Sequence, residues 1–413
     1  MAKDDTTCSF CGRPRSQVNM LIAGISGHIC DSCIGQAQSI VKEELQEKSK
    51  LNIEHSLSLL KPTEIKSKLD EFVIGQDDAK KVLSVAVYNH YKRITQKNKY
   101  NEDEDLEIEK SNVIMVGRTG TGKTLLARTI ARLLNVPFTI VDATVFTEAG
   151  YVGEDVESML TRLLQACDYD IEAAERGVCY IDEIDKVARK NDNPSITRDV
   201  SGEGVQQALL KMLEGTDILV PPQGGRKHPE QKLVKVNTKN ILFICGGAFS
   251  GVEKQIAKRI NTQVIGFRGN DLDELDLDNL LQYISHQDLK SFGLIPELLG
   301  RLPVLTYLNP LDKNALRRIL TEPKNALTKQ YVRLFDMEGI KLSFTDDVLD
   351  LIVEKTLEYS LGARGLRSIC EAIMTDAMFE MPSQTDLKEF VVTADYAKAK
   401  LSKIKLTVLK QAV

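Results

Sequence analysis

A glycine-rich segment at residues 117–124 carries the clearest chemical signal in the sequence. It reads Gly-Arg-Thr-Gly-Thr-Gly-Lys-Thr, follows the apolar run Val113–Val116 and opens a helical pattern. Glycines let successive backbone N–H groups turn inward toward phosphate oxygens, and the positive end of the following helix favours the same anion. Lys123 can then reach the β and γ phosphates while Thr124 ligates Mg²⁺. The residues predicted to bind ATP here are Gly117, Arg118, Thr119, Gly120, Thr121, Gly122, Lys123, Thr124 and Leu125.

Two adjacent carboxylates, Asp182 and Glu183, end a second apolar run at residues 178–181. The run predicts a strand, at whose end one carboxylate can hold Mg²⁺ and the other can orient and deprotonate water for attack on the γ phosphate. Since neighbouring side chains of a strand point to opposite faces, the two can divide these tasks. Acidic residues often end strands, so the pair is a weak signal alone. Its position after Lys123, in an alternating strand and helix pattern, makes it a strong one.

Four cysteines near the N-terminus form two pairs with two residues between the partners, Cys8 with Cys11 and Cys30 with Cys33. This spacing is typical of a tetrahedral zinc site with four thiolate ligands. A segment of about 45 residues cannot bury enough apolar surface to fold alone, so a metal would supply the missing stability. Disulfides or a chance arrangement are the alternatives, and a reducing compartment disfavours the former. We predict a Zn²⁺-binding domain over residues 1–50.

Composition and charge limit the class of protein. The 413 residues are 27% charged and 42% hydrophobic, which describes a globular protein with room for two or three domains. The formal net charge of −5 argues against a nucleic-acid partner, because no basic field would attract phosphates. No apolar run approaches membrane-spanning length, and the N-terminus lacks an apolar signal region. We therefore expect a cytoplasmic protein without a membrane partner.

Alternating strand and helix patterns predict an α/β fold for the centre of the chain. Further strands are expected at residues 138–141 and 240–245, and a helix follows the glycine-rich segment. This strand, loop and helix context opposes the alternative of a glycine-rich turn without a ligand. Weak periodicity predicts a long irregular segment over residues 246–296. From about residue 309 the chain is predicted to be helical, with one strand near 390–392.

Three short loops carry residues suited to contact a partner. Tyr151 and Val152 are bracketed by glycines, which indicates a mobile tip that grips something, with a buried turn as the alternative. Residues 226–228 form a compact basic loop, for which a solvated turn is the simplest interpretation. The apolar cluster at 265–267 stands in polar surroundings and suits an anchor for a partner protein, unless Phe267 folds back onto its own domain.

Eight motifs in a fixed order resemble the ClpX family of AAA+ protein unfoldases over essentially the whole chain. Each is a modest signal alone, and their joint order leaves little room for coincidence. Besides the four-cysteine module, they are Val-Ile-Gly-Gln at 73–76, Gly-Tyr-Val-Gly at 150–153, Tyr-Ile-Asp-Glu-Ile-Asp-Lys at 180–186, Arg-Lys-His at 226–228, Ile-Gly-Phe at 265–267, Gly-Arg-Leu-Pro at 300–303 and Gly-Ala-Arg at 362–364.

The resemblance implies an α/β fold with an AAA+ P-loop ATPase core, a small, mainly helical C-terminal domain and an N-terminal zinc-binding module. We expect the large ATPase domain over residues 62–308 and the small domain over residues 309–413. The resemblance further implies a homohexameric ring with ATP bound at the subunit interfaces. Arg301 resembles the arginine finger offered to the neighbouring subunit's ATP. Arg364 resembles the sensor arginine that closes on the γ phosphate.

Other implied roles belong to the pore, the docking loop and the adenine pocket. The pore roles divide among a first pore loop that pushes substrate inward, a second pore loop and the pore entrance. The residues implied to contact substrate in these three places are Tyr151 and Val152, then Arg198, then Arg226, Lys227 and His228. Those implied to dock on the ClpP peptidase are Ile265, Gly266 and Phe267, and those implied to form the adenine pocket are Val73 and Ile74.

The implied function is ATP-driven unfolding of tagged or misfolded proteins, some brought by adaptor proteins, with delivery through the pore to the peptidase. A remodeller of protein complexes without proteolysis is the alternative, and the 265–267 loop argues against that as the sole role. A ring ATPase that moves nucleic acid would favour a basic pore, which the Tyr-Val loop and the net charge oppose. Two departures stand out. Arg118 replaces the proline usual in the family, and Cys245-Gly246-Gly247 stand where many AAA+ proteins carry a polar sensor residue, so we assign none.

Overall fold

The computed structural model describes residues 6–40, 60–96, 108–147, 154–189, 202–221, 233–264, 277–359, 362–383 and 387–402. The chain divides into two units, residues 1–58 and 59–413. Among the helices in the described ranges, none combines the length and the apolar character that crossing a membrane requires.

The first unit is a small module built around its cysteines. Strands β1 (Leu21–Ala23) and β2 (His28–Cys30) pair in antiparallel orientation, and a helix, α1, covers residues 31–40. Within the described part of this unit, the buried apolar residues are three cysteines, with half-buried aliphatic side chains packed against them. So small a core cannot offset the conformational entropy of ordering the chain. The module therefore needs a crosslink at the cysteines.

The second unit contains a five-stranded parallel sheet with strand order β4-β5-β8-β3-β9 and a separate antiparallel hairpin, β6-β7. Strands β3 and β8 are completely buried, as continuous apolar runs are in parallel sheets covered on both faces. The strands are β3 (Val113–Val116), β4 (Phe138–Asp142), β5 (Val178–Asp182), β6 (Asp217–Val220), β7 (Val234–Asn237), β8 (Leu242–Gly247) and β9 (Val304–Tyr307).

Helices cover this sheet and orient its loops. The helix α3 contacts β9 and β3, α4 contacts β5 and β8, and α5 contacts β4. In α4, Leu126, Ile130 and Leu134 are buried at a spacing of four, so one face lies on the sheet while the N-terminus meets the glycine-rich loop. The helices are α2 (Pro62–Asp70), α3 (Asp77–Gln96), α4 (Lys123–Leu134), α5 (Ser158–Ala166), α6 (Ile171–Ala174), α7 (Glu203–Glu214), α8 (Val252–Val264), α9 (His286–Phe292) and α10 (Pro296–Gly300).

The sheet confirms the strands predicted at 138–141 and at the two carboxylates, and it corrects two other expectations. The strand predicted at 240–245 begins at Leu242, because a 3₁₀ turn ends at Asn240. The irregular segment predicted over 246–296 is wrong where α8 and α9 lie. Helix α8 buries Val252 and Ile256 along a narrow stripe among charged residues, which made its periodicity weak.

The small C-terminal domain is mainly helical, as predicted, with one two-stranded parallel sheet. Strand β10 pairs with β11 from Lys341 opposite Glu389 to Phe344 opposite Val392. Both strands and the five helices share one apolar core. The elements are α11 (Lys313–Thr321), α12 (Leu327–Met337), β10 (Lys341–Phe344), α13 (Asp346–Glu358), α14 (Gly362–Glu380), β11 (Glu389–Val392) and α15 (Ala394–Ser402).

Candidate nucleotide site and zinc site

The glycine-rich loop turns between β3 and α4 with backbone conformations that favour glycine. Gly120 has φ +80° and Gly122 has φ +107°, and α4 begins directly afterwards at Lys123. A β-carbon on Gly120 would lie 3.2 Å from the backbone nitrogen of Ala363 and 3.3 Å from the α-carbon of Gly362. The loop therefore touches the first turn of α14, in the small domain.

Lys123 lies inside this loop. Its Nζ donates to the carbonyl oxygens of Gly117 at 2.5 Å and Arg118 at 3.1 Å. Burial lowers the pKa of Lys123, while the carboxylates of Asp182 and Asp185 oppose that shift. An ammonium group held by carbonyl oxygens at the start of a helix fits the role of a phosphate ligand, since a phosphate would replace neutral acceptors with charged ones.

Asp182 receives three hydrogen bonds at the end of β5. The Thr124 hydroxyl donates to Oδ2 at 2.9 Å, the Tyr180 hydroxyl donates to Oδ1 at 3.1 Å, and the Glu183 amide donates to Oδ1 at 3.0 Å. A carboxylate beside a threonine hydroxyl is a hard oxygen set of the kind that Mg²⁺ prefers. Thr124 and Asp182 therefore fit Mg²⁺ bound together with nucleotide phosphates.

Glu183 departs from the strand geometry that we expected. Strand β5 ends at Asp182, and Glu183 has φ +55° at the start of a 3₁₀ turn, with an exposed side chain. The prediction that strand alternation separates the two carboxylates is therefore wrong, because Glu183 lies beyond the end of the strand in a left-handed conformation. A non-glycine residue in this conformation costs about 1–3 kcal/mol and is found where the surrounding structure requires it.

A cavity of about 900 Å³ joins these groups and extends to the small domain. A second cavity, of about 840 Å³, shares Thr119 and Gly120 with it and also meets Arg118 and Thr121. These volumes are in the range of small-molecule sites. The predicted nucleotide and catalytic residues lining the larger cavity are Thr119, Gly120, Gly122, Lys123, Thr124, Leu125, Asp182, Glu183 and Arg364.

The four N-terminal cysteines converge as the spacing predicted. Their sulfur atoms all lie within 4.8 Å of one another, and Cys11 Sγ is 3.6 Å from Cys30 Sγ. Tetrahedral Zn²⁺ with Zn–S bonds of about 2.3 Å places its sulfurs about 3.8 Å apart, so the four thiols fit this ion. No other group of three or more potential ligands is found in the described parts of the chain.

Hydrogen bonds favour the thiolate form of Cys8, which is the form that binds a metal. Burial opposes ionisation of Cys8, but backbone N–H groups of Cys11, Phe10 and Cys30 outweigh it and lower the pKa of Cys8 to about 6. The Cys30 amide donates to Cys8 Sγ at 3.3 Å. By contrast, a hydrogen bond to Cys11 and burial raise the pKa of Cys33 to about 12. Zinc must therefore displace protons from the cluster, and its binding weakens in acid.

Comparison with known proteins adds the family. Residues 108–305 match the model of the AAA domain (Cdc48 subfamily), residues 6–43 match the ClpX C4-type zinc finger, and residues 311–394 match the C-terminal, D2-small domain of ClpB protein. The chain is 64% identical over 418 residues to the ATP-dependent Clp protease ATP-binding subunit ClpX of Bacteroides thetaiotaomicron, covering 100% of this chain and 99% of the relative. The chain belongs to the ClpX family. A protein with the same name from Bacteroides fragilis is 64% identical, and the alignment covers 98% of this chain and 98% of the relative. Another, from Porphyromonas gingivalis, is 63% identical, and the alignment covers 97% of each chain.

The two arginines implied by the ClpX resemblance lie in different surroundings. Arg364, in the first turn of α14, lines the cavity beside Lys123. Arg301 directly follows α10, is half exposed, and pairs with Glu214 of α7 at 3.3 Å. Among the described residues that line the two cavities, Arg301 is not included. A finger that serves its own chain's site is not supported by this placement.

The adenine-pocket residues Val73 and Ile74 are buried before α3 and line neither cavity, so their role in this ClpX-family chain stays a prediction. Gly117 also lies outside both linings. The remaining predicted positions lie outside the described residues: Tyr151, Val152, Arg198, Arg226, Lys227, His228, Ile265, Gly266 and Phe267.

The site contains residues that the sequence did not single out. Asp185, three positions after Asp182, is buried, lines the cavity and accepts from the Ala248 amide at 3.0 Å, which ties the end of β5 to the end of β8. Arg367 lines the cavity one turn after Arg364. For Arg367 the available signal was its spacing of three from Arg364 in one helix, which places the two side chains on one side of that helix. For Asp185 the sequence offered no such signal, because Asp182 ends a strand and Asp185 lies in the following 3₁₀ turn.

Proposed function

We propose that this chain is the ATP-hydrolysing, protein-unfolding subunit of a Clp-type protease. The observation that carries the proposal is the convergence of Lys123, Thr124, Asp182, Glu183 and Arg364 on one cavity between the two AAA+ domains. The full-length similarity to proteins named as ATP-binding subunits of an ATP-dependent protease supports it.

The chemistry assigns one task to each side chain. Bound ATP supplies the phosphoanhydride bond, and bound Mg²⁺ supplies positive charge at the phosphates. Lys123 and the loop amides hold the phosphates, and Thr124 with Asp182 holds the metal. Glu183 accepts the proton of the attacking water as its oxygen bonds to the γ phosphorus and the bond to the ADP oxygen breaks. Arg364 contacts the γ phosphate and couples its loss to movement of the small domain.

We further propose a homohexamer in which Arg301 completes the neighbouring subunit's site. The half-exposed position of Arg301, away from its own cavity, supports action in trans. In this assembly the loop with Tyr151 and Val152, the loop with Arg198, and residues 226–228 contact an unfolded or tagged substrate. Residues 265–267 dock on a ClpP-type peptidase, and adaptor proteins deliver some substrates.

The same proposal divides the chain into a zinc-binding domain at 1–50, a large ATPase domain at 62–308 and a small domain at 309–413. The separate first unit and the three matched family models support this division. We place the protein in the cytoplasm, because none of its eight cysteines is paired in a disulfide, as a reducing compartment favours.

The test replaces Glu183 by Gln, which keeps the shape of the side chain and removes its basicity. ATP hydrolysis should fall by roughly 10²–10⁴, while ATP still binds with near-normal affinity. Degradation of labelled casein by added peptidase should stop. Glu354→Gln is the control, because Glu354 pairs with Lys313 on the small domain surface. Near-normal hydrolysis by the Glu183→Gln protein would show that Glu183 is not the base.

A further inference from the structure

Tyr180 is a buried tyrosine whose hydroxyl reaches the metal-binding end of β5. Its side chain is fully buried, and its hydroxyl donates to Asp182 Oδ1 at 3.1 Å. Residues two apart on a strand share a face, so Tyr180 and Asp182 point to the same side of the sheet. The same carboxylate accepts from Thr124, the other side chain predicted to hold Mg²⁺. Tyr180 therefore contacts the Asp182 carboxylate directly and does not line the nucleotide cavity.

The neighbouring strand leaves space for this hydroxyl. Strand β8 pairs in parallel with β5, with Cys245 opposite Ile181, which places Gly246 diagonally next to Tyr180 on the shared face. A β-carbon on Gly246 would lie 2.0 Å from the Tyr180 hydroxyl oxygen and 2.8 Å from the ring carbon that bears it. No side chain at residue 246 can coexist with the hydroxyl in its observed position. Glycine at position 246 of β8 therefore provides the space that the Tyr180 hydroxyl of β5 occupies.

A buried tyrosine needs a hydrogen-bond partner wherever it lies, so burial alone does not indicate function. Tyr91 shows the structural solution in the same chain, since it is equally buried and donates to the backbone carbonyl of Arg176 at 3.0 Å. Tyr180 instead donates to a carboxylate. That carboxylate already accepts from Thr124 and the Glu183 amide, so the three donors together fix its orientation.

We propose that Tyr180 is a positioning residue for the Mg²⁺ of the nucleotide site. Its hydroxyl holds the Asp182 carboxylate beside Thr124, in space that Gly246 leaves open. This inference rests on the proposed ATPase function. Groups that orient metal ligands usually contribute about 10–100-fold to metal affinity or activity. The Tyr180→Phe protein keeps the ring and its packing and loses only the hydroxyl.

The experiment measures binding of a fluorescent ADP analogue, which is not hydrolysed, as a function of Mg²⁺ concentration. In EDTA the Tyr180→Phe protein should bind the analogue as tightly as the unmodified protein, because the loop amides and Lys123 are unchanged. The Mg²⁺ concentration that gives half of the gain in affinity should rise about 10–100-fold. The Mg²⁺ requirement of steady-state ATP hydrolysis should rise in parallel.

Tyr91→Phe is the matched control, since it removes one buried hydroxyl far from the metal ligands and should leave the Mg²⁺ requirement unchanged. An unchanged Mg²⁺ requirement in Tyr180→Phe overturns the inference, as does loss of folding, which would make the hydroxyl purely structural. If the unmodified protein binds no nucleotide, the proposed function itself fails. Nucleotide binding by the unmodified protein with no effect of Tyr180→Phe rejects the positioning role alone.

Discussion

At the residue scale, the surroundings of Arg301 bear on its proposed role at a subunit interface. In the single chain its guanidinium pairs with Glu214, and both side chains are substantially exposed. Exposed ion pairs contribute only about 0–1 kcal/mol, so this one can be exchanged at little cost. In the proposed homohexamer, the negative charge of a neighbouring subunit's ATP would be a stronger partner for Arg301. The pair with Glu214 therefore holds Arg301 at the surface without trapping it.

Arg301→Ala should reduce ATP hydrolysis by about 10³-fold or more, since an arginine finger contributes about 10³–10⁵ in rate. Mixing with Glu183→Gln subunits should restore part of the activity, because each defective subunit supplies what its neighbour lacks. Arg333→Ala serves as the control, since Arg333 pairs with Asp336 on the small domain. Absence of complementation in mixed rings would place Arg301 outside its neighbour's site.

The sequence predicted the residues whose chemistry is encoded locally. Lys123, Asp182 and Glu183 followed from residue type, short spacing and the strands before them. The contacts of Tyr180 with Gly246 could not be predicted, because they depend on which strands are neighbours and in what register. Those relations join parts of the chain 66 residues apart and leave no local pattern.

At the scale of elements, the phosphate loop and α14 of the small domain are in direct contact. Gly120 and Gly362 both have left-handed backbones, at φ +80° and +59°, and approach within van der Waals distance. A β-carbon on Gly362 would lie 3.1 Å from the carbonyl oxygen of Thr119. Side chains at either position would push the two elements apart, which moves Arg364 away from the phosphates.

Gly120→Ala should weaken ATP binding by about 10–100-fold, because overpacking costs about 1–3 kcal/mol and each 1.4 kcal/mol is a factor of ten. Gly339→Ala is the control, since Gly339 has nearly the same φ, +77°, but an added β-carbon there meets nothing within 4 Å. It should lower the melting temperature slightly and leave ATP affinity intact. Equal losses of ATP affinity in both variants would show that the effect does not come from the contact of Gly120 with Gly362.

A further prediction at the scale of elements concerns the zinc content of the N-terminal module. We expect one Zn²⁺ per chain, measured by metal analysis of protein purified without chelator. Removing it should unfold the module, because its buried apolar residues are mostly the ligands themselves. Basal ATP hydrolysis should persist, since the phosphate loop lies in the other unit. Circular dichroism and ATPase measurements on the same chelated sample test this, and protein isolated without zinc would contradict it.

Elements with strong apolar runs were predictable, and those with sparse patterns were not. Strands β3 and β5 could be predicted directly from the sequence because all of their apolar residues are buried and form continuous runs. Helix α8 was missed because few of its residues are buried, and its position is also fixed by Arg259, which donates to Asp288 of α9 at 2.9 Å. A tertiary ion pair of that kind has no signature in a single segment.

At the scale of the whole assembly, affinity for the peptidase should come from repeated weak contacts. An apolar side chain inserted into a pocket contributes about 1.5–3 kcal/mol. Several identical loops on a ring then bind far more tightly than one, provided that each can reach its pocket. Residues 265–267 are the predicted contact.

Phe267→Ala should abolish degradation by added peptidase while leaving ATP hydrolysis and substrate unfolding intact, because neither needs the docking loop. Tyr151→Ala is the reciprocal variant and should slow unfolding of a stable protein while preserving peptidase binding. Fluorescence unfolding, degradation and peptidase co-sedimentation on the same preparations separate the two outcomes. Unchanged degradation in the Phe267→Ala ring would assign peptidase binding to another surface.

The parallel pairing of β10 with β11 means that the sheet of the small domain can form only after the chain has been synthesised as far as β11. The phosphate-binding sheet is complete once β9, ending at Tyr307, has left the ribosome, whereas β11 begins at Glu389, more than eighty positions later. Helix α14, which carries Arg364, lies between the paired strands β10 and β11 in the sequence. During translation, the phosphate loop is therefore synthesised before the small domain, which carries Arg364. A chain that ends before residue 389 would still contain the phosphate loop. Its small domain would lack β11, the strand that pairs with β10, although α14 with Arg364 would be present.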